Sequence, residues 1–347
     1  MFNAHGLRKA MRQVWITKAG APDVLKVRES ADPEVAQGQV RIRVKAAGIN
    51  FADLMARVGL YPDAPPIPCV VGYEASGVID QVGPGVTGFV EGERVFGMPK
   101  FGGYTDTLVI SAEQVQKMPE AMSFEEAAAL PVNYITAYTM MFVQGTVRPG
   151  SSIFIHSAAG GVGIAAIQLA KTRGCTIIGT ASPQKHDYLR AQGVHHPIDS
   201  AADWAPQLRQ IVGERGVDLI LDPVGGPSWK RGYDLLAPCG RLVCFGLSAA
   251  AAGNTRSLFH ALMQVLQVKK FSPLDMMSDN RTISGCNMGH LFSHLDLLTP
   301  QFSELMKLYN EGLIKPHVDS TFSFENAPQA HQFIHDRKAI GKVLLTP

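Results

Sequence analysis

The feature that most constrains the fold is a small-residue turn between an apolar strand pattern and an apolar helix pattern, at residues 151–171 (SSIFIHSAAGGVGIAAIQLAK). In a phosphate-binding βαβ turn, one small residue makes the bend, a second admits a pyrophosphate, and a third lets the helix pack on the strand. Ala158, Gly160 and Gly163 have this spacing, and the free N–H groups opening such a helix favour an anion. The pattern predicts a dinucleotide site. The residues expected to line it are Ala159, Gly160, Gly161, Val162 and Gly163.

The end of the next predicted strand, at residues 175–179, indicates which dinucleotide binds. NAD sites usually carry Asp or Glu about 20 residues after the glycines, where the carboxylate binds the ribose hydroxyls. This chain has Thr180, Ala181 and Ser182 there, so no acid repels a 2′-phosphate, and Ser182 and Lys185 offer a hydroxyl and a cation. We therefore predict NADPH as cofactor, with Thr180, Ser182 and Lys185 among its contacts. The alternative for Lys185 is a solvated surface residue.

Composition places the chain among ordinary two-domain enzymes. Its 347 residues are 46% hydrophobic, enough for two cores, and its net charge of +2 indicates no nucleic-acid or membrane surface. The apolar runs are shorter than the ~18 residues that a membrane span needs. The first residues, MFNAHGLRKA, lack the apolar core of a signal peptide. We expect residues 1–10 to form a disordered tail and the protein to be cytoplasmic.

Cysteine and histidine spacing gives no metal site. The five cysteines never approach CxxC spacing and are expected to be reduced core residues. Two predicted helical pairs, His290/His294 and His331/His335, have the i,i+4 spacing that can chelate a metal. Neither belongs to HExxH, and no third ligand is evident. We predict surface or capping histidines and no bound metal.

The order of predicted elements indicates two domains. Residues 12–102 contain alternating strands punctuated by Gly and Pro, as in a partly open β-barrel. From residue 131 strands and helices alternate, which is typical of a doubly wound parallel α/β sheet. A helix at residues 305–312 and two further strands then return to the first pattern. The predicted domains are a barrel domain at 11–131 and 289–347 and a dinucleotide domain at 132–288.

Residues 248–280 are longer than a usual connection between strands. Apolar residues recur at helical spacing at Leu258, Leu262, Val265 and Leu266, and a Met-rich stretch follows. Such clusters are often core filler. Because the segment follows the carboxyl edge of the predicted sheet, a substrate lid or a dimer surface are the other interpretations.

Several segments together resemble the zinc-independent quinone oxidoreductases of the medium-chain dehydrogenase/reductase superfamily, in the VAT-1-like branch. The segments are AAGINFADLMARVGLYP, VVGYEASGVI, PVNYITAYTMM, SAAGGVGIAAIQLAK, GTASPQKHDYLRAQGVHHPID, EGLIKPHVDSTFSFE and GKVLLTP. The resemblance covers nearly the whole chain from Met11. It implies a GroES-like barrel domain plus a Rossmann domain, an active site in the cleft between them, and a homodimer.

Departures from the zinc alcohol dehydrogenases are equally informative. Asn50 stands where those enzymes place a zinc-ligating Cys, and Tyr73 before Glu74 stands where they place a ligating His before Glu. Without a Lewis acid, alcohol oxidation loses its main electrostatic support. A conjugated acceptor drains the charge of a hydride itself and needs only hydrogen bonds or a proton donor. Quinones, enones and enoyl thioesters meet this demand.

The resemblance also implies residue roles. Tyr61 matches a tyrosine that related enoyl-thioester reductases use near the substrate, so it is the predicted donor; the alternative is a wall residue. Asn50 matches a position beside the nicotinamide ribose, with a helix-cap role as its alternative. Asn133 and Thr136 match residues on the nicotinamide side, although Asn133 could also serve as a cap. Asp53 is expected to be structural.

Sheet geometry and the family match supply the remaining predicted cofactor contacts. The loop at residues 222–225 should border the adenosine side and the loop at 245–247 the nicotinamide ribose. Ile198-Asp199-Ser200 replaces a segment where many relatives have Tyr, which weakens the expected NADPH preference. The contacts predicted here are Val224, Phe245, Gly246, Leu247, Asn287 and Lys342.

Together these features predict an NADPH-dependent reductase of a small conjugated substrate, an enone, an enoyl-CoA thioester or a quinone. The alternative is a binding protein that keeps the cofactor but has a structural or vesicle-associated role, since fold alone does not fix function. Asn50, Tyr61 and the whole set of cofactor positions favour the enzyme. The sequence shows no basic face that would favour RNA binding.

Overall fold

The computed structural model describes residues 10–251 and 258–347, without side chains at 251 and 258–261. The predicted disordered tail thus lies outside the described residues, except for Ala10. The chain divides into two compact units. The first contains residues up to Pro131 with Val318–Lys338 and Lys342–Pro347; the second contains Val132–His317 and Ala339–Gly341.

Strands and helices are numbered along the chain. The strands are β1 Ala10–Ile16, β2 Leu25–Ala31, β3 Gln39–Gly48, β4 Cys69–Val70, β5 Ala75–Val82, β6 Arg94–Gly97, β7 Thr107–Ser111, β8 Val115–Lys117, β9 Ser152–Ile155, β10 Thr176–Ala181, β11 His196–Asp199, β12 Val217–Asp222, β13 Leu236–Cys244, β14 Thr282–Gly285, β15 Val318–Ser323 and β16 Lys342–Thr346. The α-helices are α1 Phe51–Arg57, α2 Phe124–Ala129, α3 Pro131–Tyr138, α4 Gly161–Lys171, α5 His186–Gln192, α6 Trp204–Val212, α7 Pro227–Asp234, α8 Leu258–Leu266, α9 Pro273–Asp279, α10 Leu295–Asn310 and α11 Ala327–His335.

The first unit is mainly antiparallel and matches the predicted β-rich, GroES-like domain. One sheet has the order β15-β16-β3-β5-β6-β8, with β7 also paired to β3, and a smaller sheet has the order β2-β1-β4. Strand β3 shows why the sequence folds this way: Val40, Ile42 and Val44 are buried, whereas Arg41 and Arg43 between them both bind Asp80. This alternation is that of a half-buried strand. Strands β7 and β8 were not predicted from the sequence.

The second unit is a Rossmann sheet. Its six strands are all parallel, in the order β11-β10-β9-β12-β13-β14. From β9 the strand order runs one way to β10 and β11 and the other way to β12, β13 and β14, so β9 lies at the topological switch point. Ligands of such sheets bind outside the carboxyl ends of the strands at this point. The glycine turn that follows β9 lies there.

Apolar strands and helices form the core of the second unit. Phe154 on β9, Ile178 on β10 and Ile220 on β12 are fully buried. Trp204 and Leu208, one turn apart on α6, pack against the same cluster. Apolar runs on the strands thus meet the apolar face of a helix, as the predicted parallel sheet requires.

The chain returns to the first unit later than predicted. The return was predicted at residue 289, but the second unit continues to His317. The predicted helix at 305–312 is the end of the longer α10, which contains an internal Pro300 and is followed by Gly312 at φ +69°. Because α10 belongs to the second unit, the chain returns to the first unit only at β15.

Two predictions about single residue types were wrong. His290 ends a short 3-10 turn and His294 is the N-cap of α10, so this pair does not share a helix, although both residues are exposed, as predicted. Cys239 is exposed at φ +61° within β13, whereas a core position was expected. Cys69, Cys175 and Cys286 are buried as free thiols.

The segment at 248–280 contributes α8 and α9. Side chains of Leu262, Leu266, Leu274 and Met277 are exposed, whereas Met276 packs half-buried against the core of the second unit, so only part of the segment is core filler. The predicted apolar position Leu258 has its side chain outside the described residues. Across residues 10–251 and 258–347, no helix has both the length and the apolar character to cross a membrane.

Candidate functional site

The start of α4 forms the candidate phosphate cradle. Gly160 precedes the helix in an extended conformation, and Gly161, Val162 and Gly163 form its first turn. The first N–H groups of an α-helix have no carbonyl partner within the helix and carry the positive end of its dipole. The backbone around Ala159 to Gly163 therefore fits a pyrophosphate, as the sequence predicted.

The glycines of this turn are required by close contacts. A Cβ at Gly163 would lie 2.5 Å from the carbonyl oxygen of Ala158. A Cβ at Gly161 would lie 2.3 Å from Nδ2 of Asn133, whose side chain is buried beneath the start of α4. Asn133 thus packs against the cradle from α3. Thr136, one turn later on α3, is also buried.

Thr180, at the end of β10, holds the turn in place. The N–H of Ser157 donates to Thr180 Oγ1 at 3.1 Å, and the N–H of Ala158 donates to Thr180 O at 2.9 Å. The side chain of Thr180 is buried. In this structure Thr180 supports the cradle.

A buried polar cluster beneath the carboxyl edge was not identified from the sequence. His156 Nδ1 lies 3.5 Å from Thr180 Oγ1, and its Nε2 lies 3.5 Å from Ser228 Oγ, which donates to Asp222 Oδ2 at 2.6 Å. Burial lowers the pKa of His156, against the charge of Asp222. These contacts join the ends of β9, β10 and β12. The only signal in the sequence was polar residues at the ends of apolar strands.

The predicted 2′-phosphate residues lie after β10. Ser182 is the half-buried N-cap of a 3-10 turn that contains Lys185. Lys185 Nζ donates to Ala339 O at 2.6 Å, and Gly341 N donates to Ala159 O at 2.8 Å. The segment Ala339–Gly341 therefore lies against both the glycine turn and Lys185. An ammonium has three N–H donors, and this bond uses one of them.

The two loops after β12 and β13 are paired with each other. Val224 N donates to Asp222 Oδ1 at 2.6 Å, and Ala249 N donates to Val224 O at 3.0 Å. Leu247 lies against Gly225, where a Cβ would be 2.2 Å from Leu247 Cδ1. Of the other predicted contacts, Phe245 is half-buried, and Gly246 and Asn287 are exposed; the Asn287 side chain accepts from Gly289 N at 3.2 Å.

In the first unit, Asn50 binds a buried ion pair. Lys342 Nζ donates to Asn50 Oδ1 at 2.7 Å, and Asn50 Nδ2 donates to Glu74 Oε1 at 3.0 Å. Lys342 and Glu74 also form a salt bridge, with side chains 3% and 0% exposed. A cation is thus held at Asn50, the position where zinc enzymes place a Cys ligand. Predicted as a cofactor contact, Lys342 is nearly enclosed by protein.

Asp53 supports both segments that carry these residues. Its Oδ2 accepts from the N–H of Asn50 at 2.8 Å and from the Tyr104 phenol at 3.0 Å, and its Oδ1 accepts from Gly72 N at 3.0 Å. Burial raises the pKa of Asp53 to about 7, opposed first by the hydrogen bond from Asn50. The expected structural role of Asp53 is therefore the support of Asn50 and the Gly72–Glu74 segment.

Tyr61 lies in a small aromatic cluster. Its ring meets that of Tyr73 edge-on with centroids 6.5 Å apart, and Tyr73 lies 5.1 Å from Phe101. The pKa of Tyr61 is raised, first by burial and further by Asp63 and Asp53, while hydrogen bonding with Tyr73 opposes the rise. Tyr61 is half-buried, so its neutral phenol is a hydrogen-bond donor with access to a ligand.

The described residues hold no group of three or more His, Cys, Asp or Glu side chains that could bind a metal. Within the other predicted histidine pair, His331 is fully buried on α11, with Nε2 3.2 Å from the Tyr104 phenol. Burial lowers the pKa of His331 far below its usual value. His331 is therefore a neutral core residue, and the prediction of a surface or capping histidine was wrong for it.

Two protein families match this chain, one in the first unit and the other mainly in the second. The family described as alcohol dehydrogenase GroES-like domain matches residues 36–120, and that described as zinc-binding dehydrogenase matches residues 192–345. The human synaptic vesicle membrane protein VAT-1 homolog is 40% identical over 341 residues, 97% of this chain and 86% of that protein.

Solved structures give the same result. Escherichia coli quinone oxidoreductase complexed with NADPH superposes with a TM-score of 0.85 and 29% identity, covering 97% of this chain and 100% of that one. CurK enoyl reductase gives 0.82 and 26%, covering 97% and 99%. With a GroES-like unit, a Rossmann unit and a relative of 40% identity along nearly its whole length, the chain belongs to the VAT-1-like branch of the medium-chain dehydrogenase/reductase family.

Proposed function

We propose that the protein is a zinc-independent, NADPH-dependent reductase of conjugated acceptors, which include enones, enoyl-CoA thioesters and quinones. The observation that carries the proposal is the half-buried position of Tyr61 in its aromatic cluster, where its phenol, like any tyrosine with a pKa of ~10, is protonated at neutral pH. A neutral donor with access to a ligand suits the reduction of an acceptor that needs no Lewis acid.

The second unit supplies the proposed cofactor site. A bound NADPH supplies the hydride. The first turn of α4 binds the pyrophosphate through its N–H groups. Thr180 accepts hydrogen bonds from the loop before this turn, and Asn133 packs against Gly161. Asn50 is proposed to bind the nicotinamide ribose. These residues bind and orient the cofactor, which is the protein's part in such chemistry.

Tyr61 is the proposed donor to the acceptor oxygen. When hydride adds to a conjugated carbonyl compound, negative charge develops on that oxygen, and a phenol O–H stabilises it by a hydrogen bond. The ordinary tyrosine pKa of ~10 already keeps the proton on Tyr61 at neutral pH, and burial raises that pKa further, so Tyr61 acts mainly as a hydrogen-bond donor. For an enone the carbon must also receive a proton, from Tyr61 or from solvent.

The comparisons support the reductase class. One structural neighbour is a quinone oxidoreductase complexed with NADPH, and another is an enoyl reductase. The proposed preference for NADPH over NADH depends on Ala181 in place of an acid, with Ser182 and Lys185 nearby. The predicted homodimer and cytoplasmic location remain predictions.

The test is NADPH oxidation by purified protein, followed at the absorbance of the reduced nicotinamide, with a panel of quinones, enones and enoyl-CoA esters. We expect turnover of at least one conjugated class and none of a saturated ketone of matched size. A Gly163→Val variant, which would drive a side chain into Ala158 O, is the inactive control. Tight NADPH binding without turnover of any acceptor would instead support the non-catalytic alternative.

A further inference from the structure

The buried pair formed by Lys342 and Glu74 fixes which way the Asn50 amide faces. A lysine ammonium only donates hydrogen bonds, so the Asn50 atom 2.7 Å from Lys342 Nζ must be the oxygen. A carboxylate only accepts, so the atom 3.0 Å from Glu74 Oε1 must be the nitrogen. A flipped amide would place a donor against a donor and an acceptor against an acceptor.

Both amide protons of Asn50 are directed into the protein. One is donated to Glu74, and Nδ2 also lies 3.5 Å from the carbonyl oxygen of Gly48. Asn50 is the N-cap of α1 and forms a capping box with Asp53, in which the hydrogen bond of Asp53 N goes to the backbone carbonyl of Asn50 at 3.0 Å. The side-chain oxygen of Asn50 has a second lone pair beside the one that Lys342 uses. The half-buried Asn50 therefore offers a ligand an acceptor and no donor.

The ion pair of Lys342 and Glu74 lies in close contact with the backbone of Gly48. A Cβ at Gly48 would lie 2.5 Å from Glu74 Oε1 and 2.6 Å from Lys342 Cε, so only glycine leaves room for the ion pair. Breaking a buried pair by removing one partner leaves an uncompensated charge, whereas replacing both partners together is tolerated. The pair is buried in the first unit, so removing one member alone would leave a buried, unpaired charge. Replacing both members together avoids this cost.

We propose that Lys342 and Glu74 are positioning residues that hold the Asn50 carboxamide with its oxygen outward, to accept a hydrogen bond from a hydroxyl of the nicotinamide ribose. This inference rests on the proposed NADPH-dependent function and adds the direction of the contact. The ammonium also polarises the Asn50 carbonyl, which makes it a stronger acceptor. Lys342 acts through Asn50 and needs no contact with the cofactor.

The test is the double variant Glu74→Gln/Lys342→Met, which removes both charges and leaves the amide free to flip. We expect the dissociation constant of NADPH, measured by fluorescence titration, to rise about tenfold. Adenosine 2′,5′-bisphosphate, which lacks the nicotinamide ribose, should bind as it does to the wild type. The matched control is Glu93→Gln/Lys117→Met, which removes an exposed pair of the same unit and should change neither constant.

Two results would overturn the inference. One is wild-type affinity of the double variant for NADPH; the other is an equal loss for both ligands, which would show a general structural role. Failure of the wild type to bind NADPH at all would instead contradict the proposed function.

If the double variant does not fold, the wild type provides the second measurement. A buried, hydrogen-bonded ammonium exchanges its protons slowly, so Lys342 should be visible in a 15N spectrum of lysine side chains. NADPH should shift this signal, because a ligand hydroxyl on Asn50 Oδ1 shares the acceptor with Lys342. Adenosine 2′,5′-bisphosphate should not shift it. A signal unchanged by saturating NADPH would contradict the proposal.

Discussion

Asn133 lies directly against the backbone of Gly161, the first residue of α4, so that a Cβ on Gly161 would stand 2.3 Å from Asn133 Nδ2. The side chain of Asn133 is buried. The position of the helix start, and hence of its free N–H groups, is therefore set by a residue of α3.

Gly161→Ala should weaken NADPH binding about tenfold or more, because overpacking typically costs ~1–3 kcal/mol and here displaces the phosphate-binding turn. Titration with NADPH measures the loss. The double variant Asn133→Ala/Gly161→Ala removes the clash and should recover much of the affinity. A double variant that binds more weakly than both single variants would show that Asn133 contacts the cofactor itself.

Much of this arrangement could be predicted from the sequence, because it is local. The spacing of Ala158, Gly160 and Gly163 identified the cradle, and strand and helix alternation identified the Rossmann sheet. The supporting contacts could not be predicted, since they join residues far apart in the chain. Lys342 meets Asn50 across 292 positions, and no periodicity or turn signal reports such a pair.

The missed elements have a similar explanation. Strands β7 and β8 are short, and their pairing partners, β3 and β6, decide their conformation. The return to the first unit was predicted too early because the sequence of a helix after β14 does not indicate which unit the helix packs on. His156 was missed because a single His after an apolar strand has no pattern of its own.

Lys185→Met should weaken NADPH binding about ten- to a hundredfold and leave NADH nearly unchanged, because a charge-assisted contact with the 2′-phosphate is worth ~1.5–3 kcal/mol. Replacing Ala181 with Asp should reverse the preference, since the carboxylate repels that phosphate. Lys171→Met, at the exposed end of α4, is the control cation. Equal losses for the two cofactors would mean that Lys185 serves only to hold Ala339.

The purified protein should contain no stoichiometric zinc, and chelators should leave its activity intact. The physical reason is that Lys342 already places a cation on Asn50, where a second positive charge would be repelled. Elemental analysis of protein prepared in zinc-containing buffer and then dialysed is the measurement. One zinc per chain, with activity lost on its removal, would contradict the prediction.

Asp53→Asn should change how stability depends on pH. The folded pKa of Asp53 is about 7, above its ordinary value of 3.8, so its contribution to stability is fully present below about pH 4 and is lost as the pH rises through 7. At ~1.36 kcal/mol per unit, the loss over this interval is at most about 4 kcal/mol. The variant should lack this slope, at a constant cost of ~1–3 kcal/mol for imperfectly matched hydrogen bonds.

Urea unfolding of both proteins at pH 5 and pH 7.5 measures the effect. The stability difference between wild type and variant should be larger at pH 5. His331, whose folded pKa is depressed, destabilises both proteins alike as the pH falls below about 6.5 and cancels in the difference. A difference that is the same at both values would mean that Asp53 stays ionised in the folded protein.

Tyr61→Phe should lower kcat while leaving NADPH affinity unchanged, since the ring stays against Tyr73 and only the phenol oxygen is lost. Loss of one stabilising donor from such a site typically costs ~10²–10³ in rate, and less where water substitutes. The test should use an enone or enoyl thioester, whose carbon must also be protonated, because a quinone accepts hydride readily without this donor. Tyr73→Phe provides the comparison: its buried phenol acts on the substrate only through Tyr61 and should cost less. A Tyr61→Phe protein with the wild-type kcat on an enone would reduce Tyr61 to a wall residue, and the proton would then come from solvent or from a ribose hydroxyl bound to Asn50.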